Sequence, residues 1–118
     1  MKILVVDDEK LIAWAIQRLL EKRGHEVHVA NDIESARTFL VSNTYDLVIC
    51  DYLMPEGKGS CLIEAANLKA DGTKSIVMSG ALSQAGIREL QVDAFIEKPF
   101  LLEELEVVID DLFNKTSN

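Results

Sequence analysis

The chain has 118 residues, enough for one ordinary domain and too few for two. It is 48% hydrophobic and 27% charged, a globular composition. With 20 acidic residues against 12 basic ones, the formal net charge is −8, which argues against nucleic acid or an anionic membrane surface as the main partner. No apolar run approaches the roughly 20 residues that span a bilayer, and no signal-peptide pattern opens the chain. Cys50 and Cys61 have no zinc spacing and are expected to be free thiols in a cytoplasmic domain.

The apolar pattern switches between two periods along the chain. Ile3-Leu4-Val5-Val6 is a continuous aliphatic run, which suits a strand covered on both faces. Ile12, Ala15, Ile16, Leu19 and Leu20 share one helical face, and Gly24 stops that helix. Trp14 falls on the opposite side, beside Lys10, Gln17 and Glu21. Val27 and Val29 alternate with Glu26 and His28, as in an edge strand with one wet face. Ile33, Ala36, Phe39 and Leu40 mark a second helix with Asp32 as its N-cap. Leu47-Val48-Ile49-Cys50 is a third strand, and Leu62, Ala65, Ala66 and Leu68 mark a helix beginning near Ser60. Ile76-Val77-Met78 is a fourth strand, followed by a short helix between Ser83 and Leu90. Ala94-Phe95-Ile96 is the last strand, and Leu102, Leu105, Val108, Ile109 and Leu112 mark the last helix.

Five strand-helix units in a row predict an α/β fold: a five-stranded parallel sheet, doubly wound as (βα)5, in the flavodoxin-like order 2-1-3-4-5. Such folds place their sites at the carboxyl ends of the strands, where strands 1 and 3 are neighbours. Strand 1 ends in Asp7-Asp8, strand 3 in Asp51, strand 4 in Ser79, and strand 5 is followed by Lys98. Three carboxylates would therefore meet a hydroxyl and an ammonium. Two unit charges about 4 Å apart repel by roughly 4 kcal/mol at an effective dielectric near 20, so a positive group is needed. Mg²⁺ with oxygen ligands meets that need, and Lys98 adds a fixed cation. An aspartate so placed is suited to act as a nucleophile toward phosphorus. The bland alternative is that Asp7 and Asp8 only cap the first helix.

These residues carry a resemblance. Asp7-Asp8-Glu9, Asp51-Tyr52-Leu53-Met54-Pro55, Gly59, Ser79 and Phe95-Ile96-Glu97-Lys98-Pro99-Phe100 occur in the order seen in response-regulator receiver domains, the CheY-like family of two-component signalling. CheY is itself a standard example of this strand order. The resemblance spans residues 1–118 as one receiver domain. It implies that Asp51 is the phosphoacceptor, that Asp8 binds Mg²⁺ directly and Asp7 largely through water, and that the Leu53 backbone carbonyl is a further ligand. It implies that Lys98 pairs with Asp51 and later with the phosphoryl group, across a cis Lys98-Pro99 peptide. Ser79 takes the place of the switch hydroxyl and Phe95 that of the switch aromatic.

The implied function is a phosphorylation-activated switch of a phosphorelay. A sensor histidine kinase or histidine phosphotransfer protein donates the phosphoryl group. The domain promotes only its own phosphorylation and dephosphorylation and is not a turnover enzyme. Output runs through the face of the fourth helix, fifth strand and fifth helix, toward an effector protein or a second copy, with no nucleic acid or membrane contact by this domain.

Three departures stand out. Phe95 replaces the common Tyr. Only 18 residues lie between Ser79 and Lys98, shorter than the family pattern by about one helical turn. Leu53 and Ala81, two residues beyond Asp51 and Ser79, have no side chain that hydrogen-bonds water, so acyl-phosphate lifetime would depend on water access or an external phosphatase.

Three other readings compete. An aspartyl-phosphate phosphatase of the haloacid-dehalogenase kind needs a second acid at the position of Leu53. A flavodoxin-like cofactor binder needs a Ser/Thr/Gly-rich loop where Asp7-Asp8-Glu9 stands. A degenerate receiver-fold binding module would not need the full set of acceptor, acids, hydroxyl and lysine.

Overall fold

Three aliphatic runs build the centre of the molecule. The computed structural model describes residues 1–54, 57–58, 72–80 and 92–114. The runs become β1 (Lys2–Val6), β3 (Leu47–Asp51) and β6 (Lys74–Ser79), flanked by β2 (Glu26–Ala30) and β7 (Ala94–Glu97). The sheet order is β2-β1-β3-β6-β7, and every neighbouring pair is parallel. Counted within the sheet, this is the expected order 2-1-3-4-5. The additional strands β4 (Leu53–Met54) and β5 (Gly57–Lys58) form a separate antiparallel ladder, too short for periodicity to reveal.

Successive strand residues point to opposite faces, so an unbroken aliphatic run feeds two cores. Ile3, Val5, Leu47, Ile49, Ile76 and Met78 face one layer, with Ala13, Ile16 and Leu20 of α1 (Lys10–Lys22) and Leu105 and Ile109 of α3 (Leu102–Asn114). Leu4, Val6, Val48, Cys50 and Val77 face the other, with Ile33 and Ala36 of α2 (Ile33–Ser42) and Tyr45. The helices expected near Ser60 and between Ser83 and Leu90 lie outside the described residues.

Local signals behave as their chemistry demands. Gly24 has φ of 90°, the left-handed backbone that ends α1. The Asp32 side chain accepts from the Ser35 N–H at 2.7 Å and caps α2. Ala13, not Ile12 or Leu19, is among the fully buried residues of α1, so the core stripe is rotated slightly from the expected one. β2 is an edge strand, as expected, but His28 is not simply wet: it stacks on Phe39 with ring centroids 5.2 Å apart. Cys50 is fully buried and disulfide-bonded, which corrects the expectation of a free thiol. Pairing depends on Cα proximity, which spacing alone does not reveal; Cys61 lies outside the described residues.

Candidate functional site

Ladder hydrogen bonds continue one residue past the strands and aim the side chains that matter. The Asp7 N–H donates to the Ala30 carbonyl at 3.1 Å, extending the β1–β2 pairing. The Tyr52 N–H donates to the Met78 carbonyl at 2.8 Å, fixing the chain just after Asp51. The Lys98 N–H donates to the Ser79 carbonyl at 2.6 Å, extending the β6–β7 pairing. All strands being parallel, these residues share one rim.

Asp7, Asp8 and Asp51 each present a carboxylate oxygen, and these oxygens lie within 4.8 Å of one another. Lys98 Nζ lies 3.1 Å from Asp7 Oδ2 and 3.3 Å from Asp51 Oδ2. Asp7 and Asp51 are both buried. Asp7 does not cap α1: its Oδ1 accepts from the Glu9 N–H at 2.9 Å, and the N-cap is Glu9. The Asn31 amide donates to the Asp7 carbonyl at 2.9 Å and holds the loop from behind.

Burial pushes the Asp51 carboxyl up to about 6; Lys98 opposes the rise and the Asp7 charge adds to it. Burial alone would lower Lys98, but Asp7, Asp51 and Glu9 outweigh it and hold the ammonium above its ordinary range. Among the described residues, Lys98 is thus the one cation facing three carboxylates at the rim. Oxygen-only donors in this crowding suit a hard divalent ion such as Mg²⁺, and the residues present fit it.

Ser79 is buried, and its Oγ has no hydrogen-bond partner among the described residues. An orphaned buried hydroxyl is costly, and its place beside the rim suits a ligand oxygen. The Leu53 N–H donates to Asp51 Oδ1 at 3.3 Å, while its side chain is exposed. Phe95 points outward, 48% exposed. Lys98-Pro99 is cis, as the resemblance implies. Ala81, Pro55 and Gly59 lie outside the described residues.

Sequence reasoning gave no role to Glu9, whose Oε1 lies 3.3 Å from Lys98 Nζ. Its only signal was its place next to Asp7-Asp8. Glu9 and Lys98 also line a cavity of about 460 Å³ with Ile12, Ala15, Pro99, Phe100 and Leu102.

The response regulator receiver domain family matches residues 3–110. The chain belongs to that family. It is 35% identical over 109 residues to the transcriptional regulatory protein DltR of Streptococcus agalactiae, covering 89% of this chain and 48% of DltR. It is 30% identical over 121 residues to the response regulator MprA of a Mycobacterium species, covering 99% of this chain and 52% of MprA. The receiver domain therefore spans about half the length of these relatives. Among solved structures, the response regulator TrrA of Thermotoga maritima, in complex with Mg²⁺ and BeF, superposes with a TM-score of 0.80 at 30% identity, covering 95% of this chain and 98% of that one. Receiver domains of this family serve two-component systems and work with histidine kinases or phosphotransfer proteins. Among the described residues, no helix is long and apolar enough to cross a membrane.

Proposed function

We propose that residues 1–118 form one receiver domain that accepts a phosphoryl group on Asp51 and changes its binding face in response. The observation that carries this reading is the convergence of Asp7, Asp8 and Asp51 on one another and of Lys98 on Asp7 and Asp51. An Asp51 carboxylate oxygen attacks the phosphorus of a phosphohistidine, the P–N bond breaks, and its electron pair leaves with the imidazole, which takes up a proton. Asp7, Asp8, Asp51 and the Leu53 carbonyl would hold Mg²⁺, which supplies positive charge to the phosphoryl oxygens when bound. Lys98 bonds a second oxygen and Ser79 Oγ a third.

Three phosphoryl oxygens and up to two negative charges then pull on Ser79. Movement there passes along the Ser79–Lys98 backbone bond to β7, where Phe95 turns inward. An effector protein or a second copy would read the altered surface of β7 and α3. The phosphoryl donor would dock across Leu11 and Trp14, 81% and 54% exposed; Trp14 shares a groove with Ala15 and Leu102, which also line the cavity of Lys98. We place the domain in the cytoplasm, where a reducing milieu would open the Cys50 disulfide.

Acetyl phosphate with Mg²⁺ tests the reading. Intact mass should rise by one phosphoryl unit in the wild type and stay unchanged in Asp51→Asn. Equal labelling of Asp51→Asn would remove Asp51 from its role.

A further inference from the structure

Glu9 is the N-cap of α1, yet its side chain makes no capping hydrogen bond to the helix. It turns to Lys98 instead. An ammonium carries three N–H donors. Lys98 directs them at Asp7, Glu9 and Asp51, at 3.1, 3.3 and 3.3 Å. No donor is left for a phosphoryl oxygen, so one of the three contacts must open before Lys98 can bind one.

The three partners differ in how easily they let go. The side chains of Asp7 and Asp51 are 0% and 8% exposed, and that of Glu9 is 58% exposed. Releasing Asp7 would strand a carboxylate where water cannot replace the lysine. The Asp51 contact passes to a phosphoryl oxygen as Asp51 is loaded, which leaves Asp7 and Glu9 as the two other holders of the ammonium. Glu9 is rehydrated at little cost, because exposed pairs are weak.

We infer that Glu9 is a positioning residue that clamps Lys98 at rest and competes for its ammonium with a phosphoryl group arriving at Asp51. The inference rests on the proposed acceptor role of Asp51. Glu9 competes with the phosphoryl oxygens for Lys98 and repels an anionic donor entering the cavity it lines. It therefore restrains loading. Glu9 is outside the trio Asp7, Asp8 and Asp51, so its effect on the metal is only that of a nearby charge.

Beryllofluoride, a phosphoryl mimic, separates these effects by calorimetry in saturating Mg²⁺. Glu9→Gln keeps the size and removes the charge, and Glu9→Ala removes the contact altogether. Both should bind beryllofluoride about 1.5- to fivefold tighter than the wild type at low salt, the range of an exposed ion pair. The gap should close toward about 1 M salt, where exposed charges are screened. Affinity for Mg²⁺ alone should change by less than about twofold, since no metal-facing oxygen is lost. In the metal-free protein, the Lys98 ammonium protons should exchange with water faster in both variants. Unchanged or weaker beryllofluoride binding by the variants, beside normal binding by the wild type, overturns the clamp alone. A fall in Mg²⁺ affinity of about tenfold or more in both variants also overturns it, by making Glu9 a metal-site charge. A wild type that binds Mg²⁺ but no beryllofluoride overturns the acceptor reading and the clamp together.

Discussion

The two ends of the sheet handle polar groups in opposite ways. At the amino end, charges and hydroxyls are matched. Lys2 Nζ donates to Asn43 Oδ1 at 2.8 Å, and the Lys2 N–H to Asp46 Oδ2 at 2.7 Å. Tyr45 Oη lies 2.7 Å from His28 Nδ1, and Thr73 Oγ1 donates to the Tyr45 carbonyl at 2.6 Å. The Ser75 N–H donates to Asp93 Oδ2 at 2.8 Å. Burial, with Glu26 adding to it, pushes the Tyr45 hydroxyl up to about 12, so it remains neutral. At the carboxyl end, three carboxylates crowd, Asp51 is pushed up to about 6 and Ser79 Oγ has no partner among the described residues. One end stabilises the fold; the other holds charge in excess of its cations, which is the condition for capturing Mg²⁺ and a phosphoryl group.

Substitutions at the two ends should therefore move stability in opposite directions. Tyr45→Ala removes a buried ring and the partner of His28 Nδ1. It should cost about 3–5 kcal/mol in denaturant unfolding, the range for large-to-small changes in a core. Asp51→Asn should instead stabilise the metal-free protein at pH 7, by about 1–3 kcal/mol, since each pKa unit is about 1.4 kcal/mol and Lys98 loses one partner in exchange.

The pH dependence has a definite sign. The folded pKa of Asp51 lies above its ordinary 3.8, so the native state holds the proton longer than the unfolded one. Stability from this group is present below about pH 4 and is lost as pH rises to about 6. The advantage of Asp51→Asn should grow across that window and level off above it. An advantage that shrinks with rising pH would show that Lys98, not burial, dominates Asp51.

Smaller effects sharpen the contrast. Thr73→Val leaves the Tyr45 carbonyl without its donor and should cost about 1–3 kcal/mol, the usual penalty for a buried unsatisfied group. Trp14→Ala should change stability by less than about 0.5 kcal/mol, as expected of an exposed position. It should slow transfer from a cognate kinase while leaving acetyl-phosphate labelling intact. Equal loss in both assays would remove Trp14 from the docking surface.

Much of this was legible in the sequence because the physics was one-dimensional. Ile3–Val6 and Leu47–Cys50 read as doubly covered strands because nothing in them alternates. Asp7, Asp51, Ser79 and Lys98 read as neighbours because parallel strands bring their ends to one rim. What escaped depends on side-chain direction and distant pairing. The contact of Glu9 with Lys98 requires a rotamer turned away from the helix it begins. His28 looked solvated because alternation cannot show that Phe39 and Tyr45 close over it. The Cys50 disulfide and the β4–β5 ladder leave no periodic trace. Phe95 was named for its place in the motif, and its outward orientation is a conformational fact.

Thermal unfolding of the metal-free protein at pH 7, titrated with Mg²⁺, tests the crowded rim most directly. Ligand that binds only the folded state raises the midpoint in proportion to the logarithm of its excess over Kd. The wild type should show that rise, and Asp8→Asn should lose most of it. A midpoint indifferent to Mg²⁺, or an equal rise in both proteins, would contradict the account.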